Sequence, residues 1–303
     1  MTNKLIVIVG PNASGKSDLA VKIARAIDGQ VISADSRQVY KGLDIASGKV
    51  TKKEMGGIKH HLLDVASPRA TFTVTRYRDL ALKAIKKIQN EGQTPILCGG
   101  TGFYIRAIVD GIIIPEVKPD WTLRKKLEKL TPEKLYAMLQ KLDPRRAQTI
   151  EKQNPRRLIR AIEIVKTTKE PVPEIQKNPL PHEMLVLGLK IDQNKLRRLI
   201  AARTQKRLKM GMVAEVKRLR QSGLSWKKLE NFGLEYRAIA HFLQKKISRQ
   251  EMVDTINKED FQYAKRQMTW FKRDNRIIWT SPKNALALSQ KFVSKPVNKT
   301  KGR

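Results

Sequence analysis

The sequence predicts an α/β fold in which helices cover both faces of a parallel sheet, with an all-helical insertion between two strands. Short apolar runs at residues 5–9, 31–34 and 94–98 alternate with helical segments, and 185–191 and 276–280 add two more strands. Strands that alternate with helices are typical of a three-layer parallel sheet. The hydrophobic fraction of 40% over 303 residues suffices for a core and excludes a wholly disordered basic chain.

A change of pattern between residues 116 and 182 predicts the insertion. Asp143 and Asn154 stand directly before Pro144 and Pro155, the arrangement of an N-cap followed by a first-turn proline. Further along, one helix rich in Arg and Lys is predicted over 192–221. The predicted catalytic core has two segments, residues 1–115 and 183–282. The predicted helical insertion domain spans residues 116–182. Residues 283–303, which hold six cations and no acid, are predicted to form a basic, flexible tail.

The charge of the chain indicates a polyanionic partner. Lys and Arg number 62 and Asp and Glu 28, which gives a net charge of +34. Residues 1–115 hold 17 basic and 9 acidic side chains, whereas 116–303 hold 45 and 19. Such an excess favours nucleic-acid contact, with a generally lysine-rich proteome as the alternative explanation.

Several classes of protein are disfavoured by what the sequence lacks. No apolar run reaches eighteen residues, so no transmembrane helix or membrane partner is expected. The first apolar stretch is too short for a signal peptide. Cys98 is the one cysteine, which excludes an internal disulfide and a cysteine-based zinc site and predicts a cytoplasmic protein.

A phosphate-binding loop follows the first predicted strand. It has the pattern G-x-x-x-x-G-K-[ST] between a strand and a helix, which predicts a P-loop NTPase-like core. Its members are Gly10, Pro11, Asn12, Ala13, Ser14, Gly15, Lys16 and Ser17. Backbone amides and Lys16 suit phosphate oxygens, and Ser17 suits Mg²⁺. The strand ending at Cys98 is followed by no acid, so the ligand need not be a nucleotide.

Polar residues after the second and third strands share the edge of the sheet with this loop. Asp35 follows the second strand and is either a general base beside a bound phosphate or the cap of the next turn. Thr101 follows the third strand and either bonds the nucleophile or a phosphate, or serves as a turn hydroxyl. The spacing leaves both alternatives open.

An ordered set of motifs continues this pattern along the chain. In order they are the phosphate loop, Asp35-Ser36-Arg37-Gln38-Val39-Tyr40-Lys41-Gly42-Leu43-Asp44-Ile45, His60-His61-Leu62-Leu63-Asp64, Gly99-Gly100-Thr101-Gly102-Phe103-Tyr104, Asn154-Pro155-Arg156-Arg157-Leu158, the helix with Arg203, Arg207, Gly211 and Glu215-Val216, and Lys265-Arg266-Gln267-Met268-Thr269-Trp270-Phe271. The set resembles the IPP transferase family, the tRNA dimethylallyltransferases, over residues 4–280.

The resemblance implies a reaction and its participants. Members transfer a dimethylallyl group from dimethylallyl diphosphate to the exocyclic amine of the adenosine 3′ of the anticodon, in tRNAs reading codons that begin with U. By resemblance Asp35 is the general base, Thr101 lies beside the amine, and Arg203 binds the diphosphate that the phosphate loop holds. The expected cofactor is Mg²⁺ on Ser17. The expected partners are the tRNA anticodon stem-loop and dimethylallyl diphosphate, and the protein is expected to be a monomer.

The resemblance also implies a set of tRNA-binding residues. They are Asp35, Ser36, Arg37, Gln38, Thr101, Arg156, Arg157, Leu158, Ile159, Arg160, Phe232, Gly233, Leu234, Glu235, Tyr236, Arg237, Lys265, Arg266, Gln267, Met268, Thr269, Trp270, Phe271 and Lys272. For Trp270 the alternative is core packing, and for the arginines of 156–160 a solvated helix face.

One departure from the family pattern is Glu235, where many relatives have glycine. A carboxylate there would repel RNA phosphates unless it pairs with Arg237 or reads a base donor. Three other functions remain as alternatives: a P-loop kinase of a small metabolite, a prenyltransferase of free AMP, and a non-catalytic RNA-binding protein. None of the three accounts for both the ordered motifs and the basic second part.

Overall fold

The computed structural model describes residues 3–113, 115 and 117–295. Within them, six parallel strands form one sheet in the order β3-β2-β4-β1-β5-β6. The strands are β1 Lys4–Val9, β2 Gly29–Ser33, β3 His60–His61, β4 Thr94–Gly99, β5 Glu183–Leu189 and β6 Ile278–Thr280. The predicted α/β class with a parallel sheet is confirmed. The edge strand β3 was not predicted, because two histidines carry no apolar alternation.

Fourteen helices accompany the strands in the described part of the chain. They are α1 Lys16–Ala26, α2 Lys52–Met55, α3 Val74–Asn90, α4 Gly102–Val109, α5 Trp121–Leu127, α6 Pro132–Leu142, α7 Pro144–Thr149, α8 Pro155–Thr168, α9 Gln193–Lys209, α10 Met212–Gln221, α11 Trp226–Asn231, α12 Leu234–Leu243, α13 Arg249–Phe271 and α14 Pro282–Ser294. In the described residues no helix is both long and apolar enough to cross a bilayer.

The central strand β1 shows why the sheet has three layers. Its successive side chains point to opposite faces, since the side-chain period of a strand is two. Leu5, Val7 and Val9 enter a core shared with α3 and α4, whereas Ile6 and Ile8 enter a core shared with α1. All five are fully buried, so the run is apolar throughout rather than alternating.

Two compact units make up the chain, and the smaller one lies in the middle of the sequence. It spans Asp110–Asn178, compared with the predicted 116–182. Its core is built by α5 to α8. Asp143 and Asn154 accept hydrogen bonds from the amides of Arg146 (2.9 Å) and Arg157 (3.3 Å), which confirms both predicted N-caps.

The single helix predicted over 192–221 is wrong. The chain forms α9 and α10, which are separated at Gly211 with a φ of 94°. That left-handed conformation is easy only for glycine and ends the regular helical turn. The α9 surface is strongly cationic, so its apolar period is weak and gave no sign of the break.

The flexible tail predicted from Lys283 is also corrected for the residues described. Residues 282–294 form α14, with Ser281 as its N-cap. Ala285 and Ser289 on this helix are fully buried, and Ala285 belongs to the core under α1. A few small and apolar side chains therefore seat the helix despite its cations. Residues 296–303 of the predicted tail lie outside the described residues.

Candidate active site

The phosphate loop joins β1 to α1 in a compact turn. Ala13 has a φ of 58° and Gly15 a φ of 80°, so two residues take the left-handed conformation that curls the backbone. The amide of Ser14 donates to the carbonyl of Pro11 (3.3 Å). Helix α1 begins at Lys16 and directs its N-terminus at the space above the loop, an arrangement that favours anions.

A cavity of about 820 Å³ opens above this loop. Its walls are the phosphate loop, the segment after β2, helix α9, the turn before α12, and α13. Among its lining residues are Asn12, Ala13, Gly15, Lys16, Ser17, Asp35, Ser36, Arg37, Gln38, Gly48, Arg203, Lys206, Arg207, Phe232, Gly233, Leu234, Glu235, Arg237, Tyr263 and Arg266. Most residues predicted from the loop and from the segment after β2 therefore line one space.

The loop side of the cavity is suited to an anion. Lys16 donates through Nζ to the carbonyl of Pro11 (3.0 Å). Burial lowers the pKa of Lys16, and the charge of Arg203 lowers it further, whereas Asp35 raises it. Ser14 Oγ and Arg203 Nε are buried and find no hydrogen-bond partner among the described residues. Buried donors are normally satisfied, so these two fit a bound phosphate oxygen.

Asp35 stands at the carboxyl end of β2 and also caps the next turn. Its Oδ1 accepts hydrogen bonds from the amides of Arg37 (2.8 Å) and Gln38 (3.3 Å). The second oxygen of the carboxylate takes no part in either bond. The cap and the proposed base are therefore compatible functions of one side chain, since the cap fixes the carboxylate at the cavity wall.

Thr101 is brought to Asp35 by a close approach of two strand ends. A Cβ on Gly99 would overlap the carbonyl of Ala34, so only glycine lets the loop after β4 pass there. The Thr101 hydroxyl accepts from the amide of Ser36 (3.1 Å). It is also hydrogen-bonded to Tyr263, whose pKa burial raises to about 12. Thr101 and Tyr263 thus flank the Asp35 turn.

Arg203 projects from α9 and is held by a buried acid. Its Nη2 donates to Oδ2 of Asp260 on α13 (2.8 Å). Asp260 is 1% exposed, and its Oδ1 accepts from the side chain of Asn12 in the phosphate loop (3.4 Å). Asp260 therefore links Arg203 to the phosphate loop. Arg203 was predicted to bind the diphosphate that this loop holds.

Gln267 does not face RNA as predicted. Its side chain is buried, accepts from the amide of Asn12 (2.8 Å) and donates to the carbonyl of Gly100 (3.0 Å). Gln267 thereby ties the phosphate loop to the loop after β4. Along α13 it lies one turn after Tyr263, on the face turned toward the protein.

The segment 232–237 also departs from the prediction in two respects. Glu235 pairs with Arg207 (3.2 Å), not with Arg237, which pairs with Glu259 (2.7 Å). The ring of Tyr236 is 1% exposed, and its hydroxyl donates to Glu215 (2.9 Å). Tyr236 is therefore a core residue and not an RNA contact.

The residues predicted at 156–160 lie in α8 of the smaller unit. Leu158 and Ile159 are buried in its core, which excludes their side chains as RNA contacts. Arg160 donates to Glu163 (2.5 Å) and to the carbonyl of Pro115 (3.4 Å). Arg157 pairs with Glu151 (3.2 Å) on the surface.

The end of α13 is divided between surface and core. Lys265, Arg266, Thr269 and Lys272 are exposed and Met268 is half-buried, whereas Phe271 is in the core, a further correction. Trp270 is half-buried: its ring lies against Gly102, and the guanidinium of Arg106 lies 5.8 Å from the ring centroid. Packing against α4 thus occupies one face of the tryptophan.

Sequence reasoning missed Tyr263 and Asp260, and it named Glu215 in the motif set without predicting what it binds. Tyr263 and Asp260 precede Gln267 by one and two helical turns, so a helical projection of the final motif would have found them. Glu215 is buried and accepts from the amides of Asp44 (3.1 Å), Ile45 (2.6 Å) and Ala46 (3.2 Å). No spacing rule signals the partners of this carboxylate, because they lie about 170 residues away.

Comparison with known proteins gives consistent matches over most of the chain. A family model described as IPP transferase matches residues 38–274. A tRNA dimethylallyltransferase of Acetivibrio thermocellus is 39% identical over 285 residues, 91% of each chain. One of Carboxydothermus hydrogenoformans is 40% identical over 287 residues, 92% of each chain.

Solved structures match over nearly the whole length. The tRNA isopentenylpyrophosphate transferase of Bacillus halodurans has a TM-score of 0.73 at 32% identity and covers 97% of this chain and 96% of its own. A eukaryotic dimethylallyltransferase acting on tRNA has a TM-score of 0.80 at 26% identity, with 98% and 81% covered.

A parallel sheet whose phosphate loop opens into a cleft beside a carboxylate defines a P-loop-type protein that acts on a phosphorylated substrate. The matches with known proteins identify one family within that class. The chain belongs to the IPP transferase family.

Proposed function

We propose that this protein transfers the dimethylallyl group of dimethylallyl diphosphate to the exocyclic amine of the adenosine 3′ of the anticodon, in tRNAs reading codons that begin with U. The products are N6-isopentenyladenosine and diphosphate. The observation that carries the proposal is one cavity in which the phosphate loop, Asp35 and Arg203 meet. The tRNA-modifying relatives support the acceptor.

The donor diphosphate binds above the phosphate loop in this proposal. Lys16 exchanges the carbonyl of Pro11 for a phosphate oxygen, and Arg203 Nε and Ser14 Oγ gain the acceptor that they lack. As the bond from oxygen to the allylic carbon breaks, negative charge builds on the diphosphate. Each well-aimed donor lowers the barrier by about 3 kcal/mol.

Asp35 is the proposed general base on the acceptor. The exocyclic amine attacks the allylic carbon, the carbon–oxygen bond breaks, and a proton of the amine passes to the Asp35 carboxylate. The adenine must leave the stacked loop to reach the cavity, which costs a few kcal/mol. Cations such as Lys265 and Arg266 offset this cost by binding backbone phosphates.

A magnesium ion fits the oxygen donors of the site. Ser17 stands in the first turn of α1 and lines the same cavity as Asp35. Mg²⁺ in such sites is held by one or two protein oxygens together with substrate phosphates. When bound, it would neutralise charge on the departing diphosphate, with Ser17 as its protein ligand. We further propose a monomer that acts in the cytoplasm.

The test is transfer of label from radiolabelled dimethylallyl diphosphate. Incorporation into unmodified tRNA and not into free AMP supports the proposal. Label in AMP alone would identify an adenylate prenyltransferase, and consumption of ATP with a small acceptor would identify a kinase. Binding of tRNA without transfer would identify the RNA-binding alternative.

Two variants test the assigned roles within that assay. Asp35→Asn is expected to lower kcat by about 10²- to 10⁴-fold with tRNA affinity retained, because it removes the base but keeps the cap oxygen. The matched control is Asp79→Asn, on the exposed face of α3. Full activity of Asp35→Asn would remove Asp35 as the base.

Lys16→Ala is expected to weaken use of the donor rather than binding of tRNA. Its Nζ is the proposed ligand of the diphosphate, so the KM for dimethylallyl diphosphate should rise and kcat should fall. Lys22→Ala, exposed on the same helix, is the control. An unchanged KM with weakened tRNA binding would contradict the assignment.

A further inference from the structure

Two charged residues of the cavity, Arg207 on α9 and Glu235 on α12, have no part in the reaction described above. We propose that Arg207, held by Glu235, is a positioning residue that fixes the acceptor side of the cavity through Gly48. The acceptor side is the side of the cavity that receives the adenosine in the proposed function, so this inference rests on that function. The family resemblance predicts glycine at position 235, and glycine could not hold Arg207 in this way. The pair of Arg207 and Glu235 is therefore additional to the chemistry that the family shares.

The contacts of Arg207 are directed at the protein. Its Nη1 donates to Glu235 Oε1 (3.2 Å) and to the carbonyl of Ala46 (3.4 Å). A Cβ on Gly48 would overlap Nη2 of Arg207, so the guanidinium lies directly against the Gly48 backbone. The side chains of Arg207 and Glu235 are 12% and 11% exposed. Arg207 is thus packed into the wall rather than extended into the cavity.

From Gly48 the contacts continue to the general base. The carbonyl of Gly48 accepts from the side-chain amide of Gln38 (3.1 Å), and the backbone amide of Gln38 donates to Oδ1 of Asp35 (3.3 Å). Displacement of Gly48 would therefore move Gln38 and loosen the turn that fixes the Asp35 carboxylate. The segment 44–46 is held separately by Glu215, so Arg207 is a further support of the same loop.

Arg203 and Arg207 differ in a way that separates donor and acceptor functions. They lie one turn apart on α9 and both line the cavity. Arg203 retains a buried Nε with no partner among the described residues, which suits an anion. Arg207 is engaged by a carboxylate and a carbonyl. We therefore assign binding of the donor diphosphate to Arg203 and support of the loop at Gly48 to Arg207.

Stability alone does not account for the pair. A buried ion pair gives little net stability over apolar side chains, whereas removal of one partner leaves an uncompensated charge. Arg207→Met and Glu235→Gln each break the pair, and the double variant removes both charges. A double variant of this kind separates a structural role from a positioning role.

The experiment measures melting temperature, kcat and the KM of each substrate for the wild type, both single variants and the double variant. We expect the double variant to regain the melting temperature that the singles lose. Its kcat should stay about tenfold or more below wild type, since an error of 1 Å in position costs up to about 10²-fold. The KM for dimethylallyl diphosphate should stay within about twofold. Lys209→Met, exposed on α9, is the matched control.

An independent variant approaches the same contact from the loop. Gly48→Ala introduces the overlapping Cβ at a φ of 63° and should reproduce the kcat defect with Arg207 and Glu235 intact. Recovery of kcat together with melting temperature in the double variant would overturn the proposal, because the pair would then be structural only. A raised KM for the donor with unchanged kcat would overturn it as well.

A binding measurement keeps the test separate from the proposed function. Inorganic pyrophosphate is titrated into the wild type, Arg203→Met and Arg207→Met. We expect Arg203→Met to weaken binding and Arg207→Met to leave it unchanged; equal losses would overturn the proposal. Failure of the wild type to transfer label to tRNA would contradict the proposed function, and this titration does not depend on that result.

Discussion

At the scale of single residues, Glu235 shows how burial sets the charge of a side chain. Burial, and after it the charge of Asp260, raise the pKa of Glu235 to about 7. Arg207 and Arg203 on α9 act in the opposite direction, and Tyr236 adjoins it on α12. The folded protein therefore holds this proton to a higher pH than the unfolded chain, whose carboxyl groups release it near 4.5.

This difference predicts the pH dependence of stability. As pH rises from 4.5 to 7, the unfolded chain loses the Glu235 proton first, so this side chain lowers stability progressively across that window. Glu235→Gln cannot titrate. The melting temperature of Glu235→Gln minus that of the wild type should therefore increase from pH 5 to pH 8, measured by calorimetry.

The control for this prediction is an exposed carboxylate. Glu174 pairs with Arg145 but its side chain is 84% exposed, so Glu174→Gln should change the melting temperature little. A difference for Glu235→Gln that does not change with pH would show that the Glu235 carboxylate is solvated and not buried.

Individual residues also show where sequence reasoning succeeded and where it stopped. The phosphate loop and Asp35 were predictable, because a strand followed by a turn places their chemistry at a known edge of the sheet. Which residues of a motif point into the protein was not predictable. Gln267 and Tyr236 each adjoin an arginine in the sequence and were predicted to contact RNA, yet both point into the protein. A helix divides adjacent residues between surface and core, and only the packing decides which is which.

At the scale of elements, β1 and α14 are joined by one buried lysine. Lys4 is 1% exposed, and its Nζ donates to the carbonyls of Phe292 (2.8 Å), Val293 (2.9 Å) and Lys295. The last carbonyls of a helix have no partner within the helix, and a cation there also suits the helix dipole. Lys4 therefore anchors the helix that the sequence presented as a flexible tail.

Lys4→Met tests this anchor. Methionine retains the apolar stem but leaves the three carbonyls without their donor. We expect the unfolding free energy, measured by thermal or urea denaturation, to fall by about 1–3 kcal/mol, and kcat for tRNA to stay unchanged. Lys22→Met, exposed on α1, is the control. An unaltered melting temperature would mean that the apolar face of α14 is sufficient to hold the helix.

The two elements that the sequence misjudged have different physical causes. The break at Gly211 lies in a stretch rich in Lys and Arg, where cations obscure the apolar period. Helix α14 has only two lysines among its 13 residues, and it is held by packing against α1, which is distant in the sequence. By contrast, the N-caps at Asp143 and Asn154 were predictable, because a cap is a local hydrogen bond between residues three apart.

At the scale of the whole molecule, the net charge of +34 governs binding of a polyanion. Cations that neutralise phosphates release counterions, so affinity falls as salt rises. We expect the dissociation constant for tRNA to increase at least about tenfold between 50 and 200 mM KCl, with a much smaller change in the KM for dimethylallyl diphosphate. Filter binding and steady-state kinetics give the two values.

One exposed cation refines this prediction. Lys265→Gln should lower the slope of log affinity against log salt by about one, if Lys265 binds a phosphate as the family resemblance implies. Lys22→Gln removes the same charge from the exposed face of α1 and should leave the slope unchanged. Equal slopes for Lys265→Gln and wild type would remove Lys265 from the interface.

The position of Cys98 gives the protein an internal reporter. It is the one thiol in the sequence and is 7% exposed, and its Sγ donates to the carbonyl of Lys16 (3.5 Å) directly beneath the phosphate loop. Burial raises the pKa of the Cys98 thiol to about 12, so it is protonated and poorly reactive in the folded protein. The same burial limits access of iodoacetamide to the sulfur. Because Cys98 lines the cavity above the phosphate loop, pyrophosphate bound there should slow the alkylation of this natural thiol.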